Sequence, residues 1–377
     1  ILLRIHDFSG GDVFSAFFVC VEVDMDALAF ILLLLEAGLA LLLLYFDGLL
    51  KKPAHVLVCA GLVALAFAVR ALFFGYETLD YQDFLSRWVQ HFRDNGGFAA
   101  LSGSVGNYNV PYLYFLALFS YSSISELYLI KLLSIFFDVI LAWAAMLLLG
   151  RFTRSAAKRM GLFFAVLFLP TVFLNGALWA QCDSSYVALA LLGIYLALDD
   201  RPVLSMVCAA AAFGFKLQAV FVLPVYAVLW FKGKFKLRHF LVFPLAYVVL
   251  VFPAVIAGRP FVDTLTLYLG QTGSIGDGLN YNSPSVYSLF EYSLPERYNE
   301  LASTLGIIAA FVYMLVVLAV CFFKRRALTE RTVLAAALLF AIGIPFLLPH
   351  MHERYFFAAD ILALVTAFAA VEYFPAA

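Results

Sequence analysis

The sequence predicts an all-α polytopic membrane protein, a bundle of about eleven transmembrane helices, and three observations lead there. Of 377 residues, 65% are hydrophobic and only 13% charged, against about 25% charged in a soluble domain. So few charges cannot cover a water-facing globule. The apolar residues fall in runs close to the roughly 20 that a helix needs to cross a bilayer. The basic residues fall between those runs. A net charge of -1 leaves no surplus for nucleic acid, and the soluble enzyme, disordered and disulfide-scaffold classes are excluded with it.

The elements follow in order. Residues 1–26 are acidic and unlike the rest, and they stand apart as an N-terminal segment of uncertain status; residues 27–377 form a single transmembrane domain. Runs 27–46 and 54–74 flank Lys51 and Lys52. Run 127–149 carries Lys131 and Asp138, which are expected to satisfy each other or a neighbour. Run 160–178 follows Arg151, Arg154, Lys158 and Arg159, and run 183–198 stops before Arg201. Runs 203–216 and 218–231 are short: two half-depth helices meeting near Lys216, or one bent hairpin. Run 239–257 follows Lys232, Lys234, Lys236 and Arg238; run 301–323 precedes Lys324, Arg325, Arg326 and Arg331. Runs 332–349 and 356–372 complete the set.

Strict alternation of these spans puts all five basic loops on one side, which positive charge marks as cytoplasmic. That result requires residues 110–125, beginning just before Pro111, to be a juxtamembrane or re-entrant helix rather than a crossing. Two long outer loops remain, 75–126 and 258–300, both beyond the roughly 12–15 residues usual for a connection. The five cysteines have no metal-like spacing and read as buried free thiols. There is no phosphate-cradling glycine loop and no HExxH.

Ionisable and amide side chains at membrane depth are costly, so their placement is informative. Under this topology every such cluster falls at the outer face. Asp80 and Asp83 lie in GYETLDYQDFLSRW, and Asn107 and Asn109 in GNYNVPYLY. Trp179, Gln181 and Asp183 lie in NGALWAQCDSSY, and Lys216 and Gln218 in AFGFKLQAVF. Asn282 lies in GLNYNSPSVYS; His350, His352, Glu353 and Arg354 lie in LLPHMHERYFFAAD. Each has a bland reading. Asp80 or Asp83 caps a helix, Asn282 makes a turn, and the His350–Arg354 group is a solvated helix end. Six clusters on one side point instead to a single site. Its cations suit an anionic phosphate, its carboxylate suits deprotonating a hydroxyl, and its amides and aromatics suit a sugar. With no nucleotide loop, a phosphate at the membrane surface points to a lipid phosphate.

These blocks, with LYLIKLLSIFFDVILAW, resemble the bacterial integral-membrane mannosyltransferases related to the eukaryotic second GPI mannosyltransferase, within the GT-C glycosyltransferase superfamily. The resemblance covers roughly residues 54–372, with the WxQxD and HERYFF blocks the most specific parts. It implies a GT-C-like bundle and inverting transfer of a sugar, mannose by preference, from a polyprenyl-phosphate donor on the non-cytoplasmic face of a bacterial plasma membrane. Asp80 matches the essential acid of the first outer loop, with Asp83 as fallback. Lys216, His352 and Arg354 match donor-phosphate contacts, and His352 would give a proton or a hydrogen bond to the leaving group. Trp179, Gln181, Asp183, Asn107, Asn109, Gln218, Asn282, His350 and Glu353 are assigned to the sugar and acceptor pocket. The sequence departs at Ala180, where a glycine is expected after the tryptophan. No cofactor is required; a divalent metal has a place only if Asp80, Asp183, His350 and Glu353 converge. The partners are membrane lipids, the lipid-linked donor and a glycan, lipid or protein acceptor. The rival reading is a transporter or a lipid-linked-sugar flippase, which predicts repeats and ionisable residues in mid-span.

Overall fold

The computed structural model describes residues 26–271, 278–289 and 296–370, which are almost wholly helical. Residues 1–25, nearly all of the N-terminal segment set apart above, lie outside them. The described helices are α1 (Ala27–Phe46), α2 (Pro53–Ala71), α3 (Ser86–Asp94), α4 (Val110–Phe119), α5 (Glu126–Leu149), α6 (Ala156–Leu167), α7 (Pro170–Phe173), α8 (Asp183–Leu198) and α9 (Pro202–Phe215). They continue as α10 (Val225–Phe231), α11 (Leu237–Phe240), α12 (Val242–Ile256), α13 (Phe261–Leu265), α14 (Leu267–Gln271), α15 (Glu296–Phe323), α16 (Glu330–Leu347) and α17 (Phe357–Ala370).

Among the described residues six helices are long and apolar enough to cross a membrane: α1, α2, α5, the run Leu237–Ile256, α15 and α16. A seventh counts if α6 and the stretch Pro170–Leu178, bent by 45° at their break, form one span. The remaining apolar helices are shorter. At 1.5 Å per residue, ten-residue α4 is about 15 Å long, half of a hydrocarbon core. The α1 N-terminus is capped by Asp26, whose Oδ1 accepts from the Leu28 amide at 2.8 Å. The α2 N-terminus begins on Pro53, where a missing N–H leaves nothing unsatisfied.

Helix α5 is the hub, buried along most of its length and packed on α8, α6 and α1. Its buried charges, Lys131 and Asp138, are each satisfied, though not by each other. Asp138 Oδ2 accepts from Arg70 Nη2 at 2.9 Å and Nε at 3.1 Å, while Oδ1 accepts from Ser184 Oγ at 2.5 Å. Lys131 Nζ donates to the carbonyls of Phe73 (2.5 Å), Phe74 (3.1 Å) and Tyr76 (2.6 Å), which follow the end of α2. The ammonium thus caps the carbonyl-rich C-terminal end of α2, where a cation is favoured.

The five basic loops meet at one end of the bundle. Arg159 pairs with Asp47 (3.3 Å), and Arg151 with Asp199 (3.4 Å) and Glu330 (2.8 Å). Lys234 pairs with Asp200 (2.8 Å), and Lys232 donates to the Leu328 carbonyl (2.9 Å). At the other end the chain departs from an all-helical pattern. Asn280–Tyr281 (β1) and Met351–His352 (β2) form a two-residue parallel ladder, with Asn280 opposite Met351 and Tyr281 opposite His352. The 350–354 segment is therefore not a solvated helix end. Pro349 holds Leu348 extended (ψ 139°), which stops α16, and His350 turns through the left-handed region at φ +60°. A strand and a 3₁₀ turn over Glu353–Phe356 follow.

Candidate functional site

Asp80 precedes a π-helical turn, Tyr81–Leu85, that leads into α3. Its side chain is one-third exposed. Oδ2 accepts from Gln181 Nε2 at 2.9 Å and from Arg354 Nη1 at 3.3 Å. Oδ1 accepts from no side chain or backbone group among the described residues. Residues about 100 and 274 positions away in sequence thus anchor one oxygen and leave the other open. Asp83 is not part of this arrangement. It is exposed and pairs with Arg87 one helical turn on (3.0 Å).

Gln181 arrives by an irregular route. A second π turn, Leu174–Leu178, ends at Trp179; Ala180 then adopts φ +56°, and the Gln181 amide closes back on the Asn175 carbonyl at 2.9 Å. This left-handed position is the one where the resemblance expects glycine, the residue that adopts it without cost. The turn leaves Gln181 and Asp183 buried at the start of α8. Asp183 accepts from Lys216 Nζ at 2.6 Å and from Asn175 Nδ2 at 3.0 Å. Lys216 stands where α9 ends and a 3₁₀ turn, Leu217–Phe221, begins, so the short runs 203–216 and 218–231 do meet at this lysine.

A cavity of about 160 Å³ opens beside these pairs. Its polar lining is Asn107, Asn109, Lys216, Gln218, His352 and Arg354, and Tyr108, Tyr268, Phe215 and Tyr355 supply rings. Both cations line it. The two carboxylates that balance them, Asp80 and Asp183, do not. Asn109 also caps α4, accepting from the Val110 amide at 2.8 Å, and donates to Tyr247 at 2.9 Å. The His352 ring stacks on Tyr281 at 4.8 Å. Burial, helped by the Arg354 charge, lowers its pKa to about 4, so the imidazole is neutral at physiological pH. Burial also opposes the charge on Arg354, but Tyr108, Asp183, Tyr355 and Asp80 outweigh it and raise the guanidinium.

Beside Asp80, Asp83, Gln181 and Asp183, four further assigned residues lie outside the cavity lining. His350 ties the ladder to α15, with Nδ1 2.7 Å from the Gly278 carbonyl and Nε2 3.2 Å from Ser303 Oγ. Asn282 is exposed at φ +60° and bridges to His352 through the backbone. Trp179 and Glu353 are half-buried on the flanking turns. Asp80, Asp183, His350 and Glu353 do not converge: among the described residues no three His, Cys, Asp or Glu side chains gather as a metal site. Tyr108, Asn175, Tyr268 and Tyr355 join the site without having been assigned to it. Tyr108, Asn175 and Tyr355 lie inside motifs already singled out; Tyr268 does not, and a buried Tyr at loop depth is otherwise indistinguishable from an interfacial aromatic.

No family model, no curated protein and no solved structure matches this chain.

Proposed function

We propose that this chain is an integral-membrane glycosyltransferase with a GT-C-like bundle. It moves a sugar, mannose in this reading, from a polyprenyl-phosphate donor to an acceptor hydroxyl with inversion. One observation carries the proposal. Lys216 and Arg354 line a cavity rich in amides and rings, while the carboxylates that pair with them, Asp183 and Asp80, are not part of its lining. Such a wall attracts an anion that bears a polyhydroxyl group. Arg354 also donates to Asp80, whose free Oδ1 suits a general base.

The step follows from that layout. The acceptor hydroxyl gives its proton to Asp80 Oδ1, and its oxygen bonds to the anomeric carbon. The bond from that carbon to the phosphate oxygen breaks, and the electron pair leaves with the lipid phosphate. Arg354, seconded by Lys216, balances the charge that develops there. His352, neutral at working pH, serves as a hydrogen-bond partner to the phosphate rather than as a source of a full proton. In this reading α8, α9, the run 217–231 and α17 also cross, giving eleven spans. The basic loops then face the cytoplasm and the cavity faces the other side of a bacterial plasma membrane. The transporter alternative draws on mid-bundle charges, but Arg70 and Asp138 neutralise each other.

The test is transfer of label from radiolabelled polyprenyl-phosphate-mannose in membranes containing the chain. Wild type forms a labelled product, and Asp80→Asn lowers the rate about 10²–10⁴-fold at equal expression. No product with mannose, glucose or arabinose donors overturns the proposal and leaves the transporter reading.

A further inference from the structure

Gln181 is a symmetric-looking group with two unlike faces. Only its NH₂ face can donate to Asp80; its carbonyl turned the same way would set two acceptors against each other. Something must choose the orientation. Tyr108 does, because its hydroxyl donates to Gln181 Oε1 at 3.0 Å, which leaves Nε2 facing Asp80 Oδ2 at 2.9 Å. Burial pushes the Tyr108 hydroxyl far above its ordinary range, so it always has a proton to donate.

Tyr108 is itself held. Its ring meets Trp88 edge-on at 5.3 Å and Tyr112 at 5.0 Å, and Lys216 Nζ sits 5.8 Å from its centroid. Trp88 can lie there because residue 106 is glycine. A Cβ at Gly106 would come within 2.2 Å of the indole, and its φ of +59° is one that side-chain-bearing residues rarely adopt. An aromatic clamp from loop 75–126 thus reaches the carboxylate through one amide on the turn before α8.

We infer that Tyr108 is a positioning residue for Asp80: through Gln181 it fixes the carboxylate by Oδ2 and presents Oδ1 to the acceptor. Among the described residues the hydrogen-bonded route from Tyr108 to Asp80 passes through the amide. The inference rests on Asp80 being the base proposed above.

Two measurements on the full chain test it. The first is transfer kinetics of Tyr108→Phe, Gln181→Ala and the double variant. Tyr108→Phe keeps the ring packing, and kcat is expected to fall about tenfold with donor KM unchanged, the size of one lost hydrogen bond that orients a group. The double variant loses no more than the worse single one, because both changes cut one chain. The second is the rate at which a water-soluble carbodiimide labels Asp80 at pH 6, read by peptide mass spectrometry. A carboxyl oxygen released from its N–H donor is open to the reagent. Labelling is therefore expected to rise severalfold in both single variants, with Asp183 unchanged. Unaltered Asp80 labelling in both, or single effects that multiply in the double variant, overturns the inference. Wild type without transfer overturns the proposed function alone, and the labelling still decides what Tyr108 does to Asp80.

Discussion

Arg354 Nη1 lies 3.3 Å from Asp80 Oδ2, and Arg354 also lines the cavity, so one residue links the anion wall to the acid. A lysine carries the same charge but cannot present a planar fork to two partners at once. Arg354→Lys is therefore expected to behave nearly like Arg354→Ala. Both should lower kcat/KM for transfer by about 10²–10³, the usual loss for one preorganised donor to a developing oxyanion. Steady-state kinetics with a labelled lipid-phosphate donor checks this, and full activity in Arg354→Lys would show that point charge alone suffices.

The Asp183–Lys216 pair predicts an asymmetry between single and double changes. Asp183 is wholly buried and Lys216 nearly so. Removing one partner leaves an uncompensated buried charge, a loss of about 3–5 kcal/mol. Lys216→Met should accordingly lower the melting temperature in detergent, and adding Asp183→Leu should recover most of it. An unchanged melting temperature in Lys216→Met would mean that water reaches Asp183.

Ala180 at φ +56° predicts a stabilising substitution at the edge of the site. The left-handed region costs a side-chain-bearing residue about 1–2 kcal/mol that glycine does not lose. The freer unfolded chain of glycine offsets part of that. Ala180→Gly is expected to raise the melting temperature slightly and to leave transfer intact, since Gln181 keeps its place. A lowered melting temperature would contradict the strained turn.

His352 predicts a pH dependence with a definite sign. Its folded pKa of about 4 lies below the 6.5 of the free imidazole, because of burial and the Arg354 charge. The unfolded chain therefore binds the proton first as pH falls. Stability is fully present above about 6.5 and is lost as pH falls toward 4. Melting temperatures between pH 7.5 and 4.5 should decline more steeply in wild type than in His352→Gln. Equal slopes would place the ring in solvent.

Much of the organisation was legible because membrane physics leaves few choices. A backbone that must satisfy its own polar groups in lipid is helical, so apolar runs read directly as helices. The basic loops, read as sharing a side, do gather at one end through Arg159–Asp47, Arg151–Glu330 and Lys232 to Leu328. Lys216, Gln181 and Arg354 stood out because each lies where burying a polar group is expensive. Arg70 was not singled out: one arginine in the last turn of an apolar helix looks like an interfacial anchor until Asp138 is seen beside it.

The sequence by itself determined an all-helical, membrane-suited chain whose costly polar residues occur in six short blocks, since hydropathy and charge are properties of local segments. Only the tertiary structure decided which of those residues meet. It put Asp80 rather than Asp83 beside Arg354, buried Asp183 against Lys216, made residues 351–352 a strand, and routed Tyr108 through Gln181 to one carboxylate oxygen. Those choices depend on two π turns, a left-handed alanine and contacts spanning up to 274 residues, and no local pattern of charge or hydropathy encodes them.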